Sequence, residues 1–214
     1  MLPVLLLLAL PVVLFVLITW QVVADGPLVG LDERISRVLV QPDRCSELLA
    51  DLGNVQVAVP VLAIAAVYAA RRAWAARVGR WWLPGAAAAV LMALVPALVV
   101  PLKELTDRPG TPVVPPATGY YPSGHTATAV VAYGCATLLL LPLLHGTYAR
   151  RALALCCVAV NLGVGFGLVR RGYHWPLDVV ASWCLGAVLI GCFVMVVSRS
   201  SRRASAGTPD SKSE

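Results

Sequence analysis

Three short clusters of ionisable residues interrupt an otherwise apolar chain of 214 residues. The first is Lys103, Glu104, Asp107 and Arg108-Pro109. The second is Pro122-Ser123-Gly124-His125, and the third runs from Arg170-Arg171 through His174-Trp175-Pro176 to Asp178. Ionisable groups beside apolar spans are costly, so each is a candidate for function. Ser123 is placed to cap a helix and Gly124 lets backbone N–H groups approach a ligand closely, so this helix start can hold a phosphate. Pro176 suits the first turn of a following helix, which sets His174 just outside that helix and Asp178 in its first turn. A carboxylate there is favoured by the helix dipole and can fold back onto one imidazole nitrogen. The other nitrogen of His174 is then free to attack an electrophile.

The elements that must position these groups are membrane helices. Hydrophobic residues make up 59% of the chain, charged residues 13%, and mean hydropathy is +0.79, well above the apolar content of soluble domains. Six apolar segments are each long enough to cross a bilayer: Leu2 to Val23, Leu52 to Ala70, Trp82 to Leu102, Thr126 to Leu144, Ala152 to Val169 and Pro176 to Val197. The expected fold is all-α, an integral membrane bundle of six transmembrane helices over residues 1–197, with no separate soluble domain. The first segment lacks a basic leader and is longer than a signal peptide's apolar run, so it reads as a retained span. Residues 31–52 mix apolar side chains with charges and read as an amphipathic helix in the interface. Residues 198–214 read as a disordered tail.

The net charge of +6 reports topology rather than a nucleic-acid partner. Arg71, Arg72, Arg77 and Arg80 follow the second span, Arg150 and Arg151 follow the fourth, and Arg199, Arg202, Arg203 and Lys212 follow the sixth. The positive-inside rule places these on the cytoplasmic side of the cell membrane, with both termini, and puts all three ionisable clusters outside. The six cysteines have no CxxC spacing and read as packing residues. Gly163, Gly165 and Gly167 follow no strand, so they read as sites of close helix packing, not as a nucleotide fingerprint.

Lys-x4-Arg-Pro, then Pro-Ser-Gly-His, then Arg-x2-His-x3-Asp, in this order on six spans, resembles the type 2 phosphatidic acid phosphatase family of membrane lipid phosphatases. Pro-Ser-Gly-His would arise by chance in about one in a thousand chains of this length, so it carries most of the resemblance. The resemblance implies that His174 is a nucleophile forming a phosphohistidine and that Asp178 fixes its tautomer. It implies that His125 protonates the leaving group and then activates water, and that Lys103, Arg108, Ser123 and the Gly124 backbone hold phosphoryl oxygens. It implies no metal and no cofactor, and a lipid phosphate or pyrophosphate in the bilayer as substrate. Phosphatidate, phosphatidylglycerophosphate and polyprenyl pyrophosphate are candidates among which no sequence motif chooses, and oligomeric state is not legible.

The chain departs from the family pattern in two places. The family's first motif is Lys-x6-Arg-Pro, whose arginine would fall at Gly110, and its Ser-Arg pair before the nucleophile would fall at Gly167 and Leu168. Arg171, one helical turn on, is the expected substitute, with Arg170 second. A catalytically weak or inactive lipid-phosphate binder is therefore the alternative function. A metal site built from His125, His174 and Asp178 has no zinc-type spacing behind it. Trp81, Trp82, Tyr120, Tyr121 and Trp175 read as interfacial aromatics, with lining of the substrate path as the alternative for Tyr121 and Trp175.

Overall fold

The computed structural model describes residues 2–206, with side chains described from residue 8 to residue 199. Its helices are α1 (Leu2–Val23), α2 (Pro27–Leu39), α3 (Arg44–Asp51), α4 (Val55–Ala75), α5 (Leu83–Thr106), α6 (Gly124–Leu140, extended by a 3-10 turn at Leu141–Leu143), α7 (Thr147–Arg170) and α8 (Pro176–Ala206). No strand occurs among the described residues. Helices α4 to α8 are each long and apolar enough to cross a membrane, and α1 with α2, bent by 89° at the break between them, makes a sixth candidate. The protein is therefore an all-helical, multi-pass membrane protein.

Helix α6 is the axis of the bundle and packs against α4, α5, α7 and α8, while α1 lies on α8 and α3 on α7. Small side chains allow this: Ala127, Ala129, Ala132 and Ala136 of α6 are buried, and neighbouring backbones approach closely across such residues. On α8, a Cβ added to Gly186 would stand 2.4 Å from Val130 of α6. The glycines of α7 act as expected from the sequence, for a Cβ at Gly165 would meet Trp183 at 2.6 Å.

The segment 31–52 is not one interfacial helix. It is broken between α2 and α3 at Pro42, which has no N–H to continue a helix, and Asp43 then starts α3 with a capping box in which its carboxylate accepts from the Ser46 N–H at 2.7 Å. Nor does it merely lie on the surface, since Asp32, Ser36, Ser46 and Ala50 are buried in the protein. Helix α8 continues to Ala206, into the segment read as a disordered tail, and residues 207–214 lie outside the described residues. Following the chain, the end of α5 and the starts of α4, α6 and α8 share one end of the bundle. Arg71, Arg72, Arg150 and Arg151 lie at the other.

Candidate active site

The third cluster folds as its spacing predicts. Pro176 opens α8 and Asp178 occupies its first turn. The Asp178 carboxylate is fully buried and accepts from His174 Nδ1 at 3.1 Å and from the Trp175 backbone N–H at 3.1 Å on Oδ2. The acceptor-only carboxylate sets the His174 tautomer with its proton on Nδ1 and leaves Nε2 with its lone pair.

Arg108 lies behind this pair and is 5% exposed. One guanidinium nitrogen donates to Asp178 Oδ1 at 2.5 Å and another to Asp32 Oδ2 at 2.6 Å, while its plane rests 5.5 Å from the Trp175 ring. Asp32, on α2, also accepts from the Leu177 backbone N–H at 2.8 Å. The result is a buried chain, Asp32 to Arg108 to Asp178 to His174, in which the one guanidinium stands between two carboxylates. Arg108, expected from the resemblance at the phosphate, has both terminal nitrogens engaged by carboxylates.

The second cluster forms the start of α6. Ser123 caps it, its hydroxyl accepting from the Thr126 N–H at 3.3 Å. Ser123 is fully buried; its N–H donates to the Asp178 carbonyl at 3.2 Å and its own carbonyl accepts from the Ser182 hydroxyl at 2.8 Å. The helix starts of α6 and α8 are thereby tied together. Gly124 faces open space, for a Cβ there would meet nothing nearer than Val99 at 3.8 Å. His125 follows, with its ring centroid 6.5 Å from that of His174.

These groups meet in a cleft of about 830 Å³ lined by Lys103, Gly124, His125 and His174, and by Tyr120 and Tyr173. Its floor is apolar, made by Val59 of α4 and by Met92, Val95 and Val99 of α5. Lys103 stands in the last turn of α5 with Nζ 6.0 Å from the Tyr120 ring, and the Tyr120 ring is 6.0 Å from His174. Arg171 and Arg170 are not among the residues that line it. Arg171 donates to the Tyr173 hydroxyl at 3.0 Å and lies 4.0 Å from Glu47. Arg170 donates to Asp43 at 2.7 Å. The Asp43 carboxylate is held down to about 2 by the Ser46 backbone N–H and then by Arg170.

The three positions where the family carries other residues are filled by packing. A Cβ on Gly110 would meet Tyr120 and Val114 at 2.6 Å, and one on Gly167 would stand 2.7 Å from the Ala50 nitrogen and the Ser46 oxygen of α3. Leu168 is 1% exposed and packs with Ala50, Ala129 and Val164. Helix α3 thus packs against the stretch of α7 that would carry the missing arginine.

Sequence reasoning missed Asp32, Asn54 and Tyr120 as neighbours of the site. Asp32 offered one signal: with Ser36 it lies one turn apart on the buried side of α2. It also misplaced two aromatics. Tyr121 is fully buried and shares a 2.7 Å hydrogen bond with Thr19 of α1, burial pushing its phenol above the ordinary value, and Trp175 is buried with its indole N–H on the Pro109 carbonyl at 3.0 Å. Among the described residues, no group of three or more His, Cys, Asp or Glu is arranged to hold a metal ion.

No curated protein matches the chain. Among solved structures, a transmembrane PAP2 type phosphatidylglycerolphosphate phosphatase from Bacillus subtilis is similar, with a TM-score of 0.70 and 22% sequence identity over 90% of this chain and 96% of that one. That likeness speaks for the fold. A sequence profile of the PAP2 superfamily matches residues 84–202, more than half the chain and all three ionisable clusters. The chain therefore belongs to the PAP2 superfamily and is a multi-pass membrane enzyme of that phosphatase family.

Proposed function

We propose that the protein hydrolyses a lipid phosphate or lipid pyrophosphate through a phosphohistidine on His174. The observation that carries this reading is the pairing of His174 with a buried Asp178 beside an apolar cleft that His174 lines together with His125 and Lys103. Nε2 of His174 attacks phosphorus as the bond to the leaving oxygen breaks. The imidazolium of His125 gives that oxygen a proton and becomes neutral. Neutral His125 then takes a proton from water, whose oxygen attacks phosphorus and releases His174. Lys103 and the N–H groups at the start of α6 face the phosphoryl oxygens and stabilise the charge that builds on them. Asp178 holds the His174 tautomer and stabilises the cation formed on it, and Arg108 holds Asp178.

A lipid substrate fits because the cleft floor of Val59, Met92, Val95 and Val99 belongs to helices α4 and α5, which cross the membrane. The acyl or prenyl chain stays apolar while the head group meets Lys103. The solved relative is named for phosphatidylglycerolphosphate, which makes that lipid a candidate beside phosphatidate and polyprenyl pyrophosphate. The clustering of Arg71, Arg72, Arg150 and Arg151 at the far end of the bundle supports an extracytoplasmic site with both termini inside.

A second reading, a lipid-phosphate binder with slow turnover, is favoured by one observation: among the described residues the cleft is lined by one lysine, Lys103, and by no arginine. Phosphate release from these lipids by the purified protein in detergent with EDTA, beside His174→Ala, separates the two. Release that persists in EDTA and vanishes in the variant supports the hydrolase. Retention of lipid phosphate without release overturns it.

A further inference from the structure

The turn Leu52-Gly53-Asn54, between α3 and α4, is pinned against the start of α6. Tyr133 of α6 donates its hydroxyl to the Leu52 carbonyl at 2.7 Å. A Cβ on Gly53 would stand 2.9 Å from Val164 and 3.1 Å from the His125 carbonyl oxygen, so glycine lets the turn press on α6. The next side chain is delivered to the His125 ring, with Asn54 Oδ1 2.8 Å from Nε2.

Asn54 is the N-cap residue of α4, yet its side chain makes no capping bond. Its Nδ2 donates instead to Asp51 Oδ1 at 3.0 Å. A carboxylate can only accept, so it fixes the amide with the NH₂ towards Asp51 and the oxygen towards His125. His125 Nε2 must then carry a proton, and Nδ1 is left as the nitrogen that gives and takes one.

We infer that Asn54, oriented by Asp51, is the positioning residue for His125, holding its ring with Nδ1 as the working acid and base. The inference rests on the acid–base role proposed above for His125. The charged and titratable groups facing His125 are His174 from the α7–α8 connection, Lys103 from α5 and Asp51 from α3. An asparagine orients the ring without adding charge beside it. A carboxylate in its place would hold the imidazolium too firmly for an acid that must let its proton go.

The test uses the purified full chain in mixed micelles of phosphatidate, with Asn54→Ala and Asn54→Asp. Asn54→Ala lowers kcat about tenfold with KM within about twofold, part of what a placed acid and base supplies. Asn54→Asp moves the alkaline limb of kcat up by about one pH unit, as an added neighbouring carboxylate requires. An unchanged or higher kcat in Asn54→Ala, or an unmoved limb in Asn54→Asp, overturns the inference. Nitrogen-15 NMR of labelled histidine reads the same question without turnover. The Nε2–H tautomer of His125 in the wild type, lost in Asn54→Ala, supports it, and an identical tautomer in both overturns it. Should the wild type release no phosphate from any lipid, the hydrolase reading fails while the NMR result still decides this one.

Discussion

The two histidines of the cleft are held in opposite ways. His174 is buried, and the bonds behind it run through Asp178 and Arg108 to Asp32 on a distant helix. His125 is exposed and is held by one hydrogen bond from a turn. A group that must form a bond to phosphorus at a fixed angle gains from rigid support, whereas one that gives a proton and then takes one from water needs access to that water. The contrast fits the proposed roles, with the nucleophile on the buried histidine and the proton carrier on the exposed one.

Substitutions on the buried side have the largest effects. His174→Ala abolishes phosphate release, by roughly a thousandfold or more, as read by the inorganic phosphate assay. Asp178→Asn keeps the shape but lets the His174 tautomer change, and kcat falls by about a thousandfold. Arg108→Gln leaves Asp32 and Asp178 facing one another without a cation, which lowers stability by about 3–5 kcal/mol. Thermal unfolding in detergent measures it, and an unshifted midpoint would mean that the buried chain does not form. Leu168→Arg, which restores the family's arginine in sequence, does not restore a cation to the cleft, because the side chain enters the Ala50, Ala129 and Val164 cluster. It lowers stability by about 3 kcal/mol without raising kcat.

The smallest effect concerns Asp43 at the start of α3. Its carboxyl is near 3.9 in an unfolded chain and about 2 in the folded one, so the folded state binds the proton less readily. Its contribution is fully present above the unfolded value and is lost as pH falls towards 2. Asp43→Asn therefore lowers the unfolding midpoint slightly at pH 7, and the difference shrinks below pH 4. A difference constant down to pH 2 would show that the cap carries no linkage.

The sequence carries the spans well because an apolar run of bilayer length has few alternatives. It carries His174 and Asp178 equally well, since four residues across a helix start bring the two side chains together whatever surrounds them. Where partners come from elsewhere in the chain it is silent. Asp32 is 76 residues from Arg108 and Asn54 is 71 from His125, and neither separation has a local signature. Arg170 and Arg171 show the converse limit. Their spacing from His174 allowed a place at the phosphate, but α3 brings Asp43 and Glu47 to them. Pro42 alone marked the break that creates α3.

The valine-lined floor of the cleft has a consequence for how such an enzyme is measured. A substrate that never leaves the apolar phase is encountered by lateral diffusion in two dimensions, so its effective concentration is a mole fraction of the surrounding amphiphile. Adding inert detergent dilutes it while the molarity in the tube stays the same. Half-saturation belongs on that surface scale, and a water-soluble phosphomonoester bearing the same head group competes from the wrong phase.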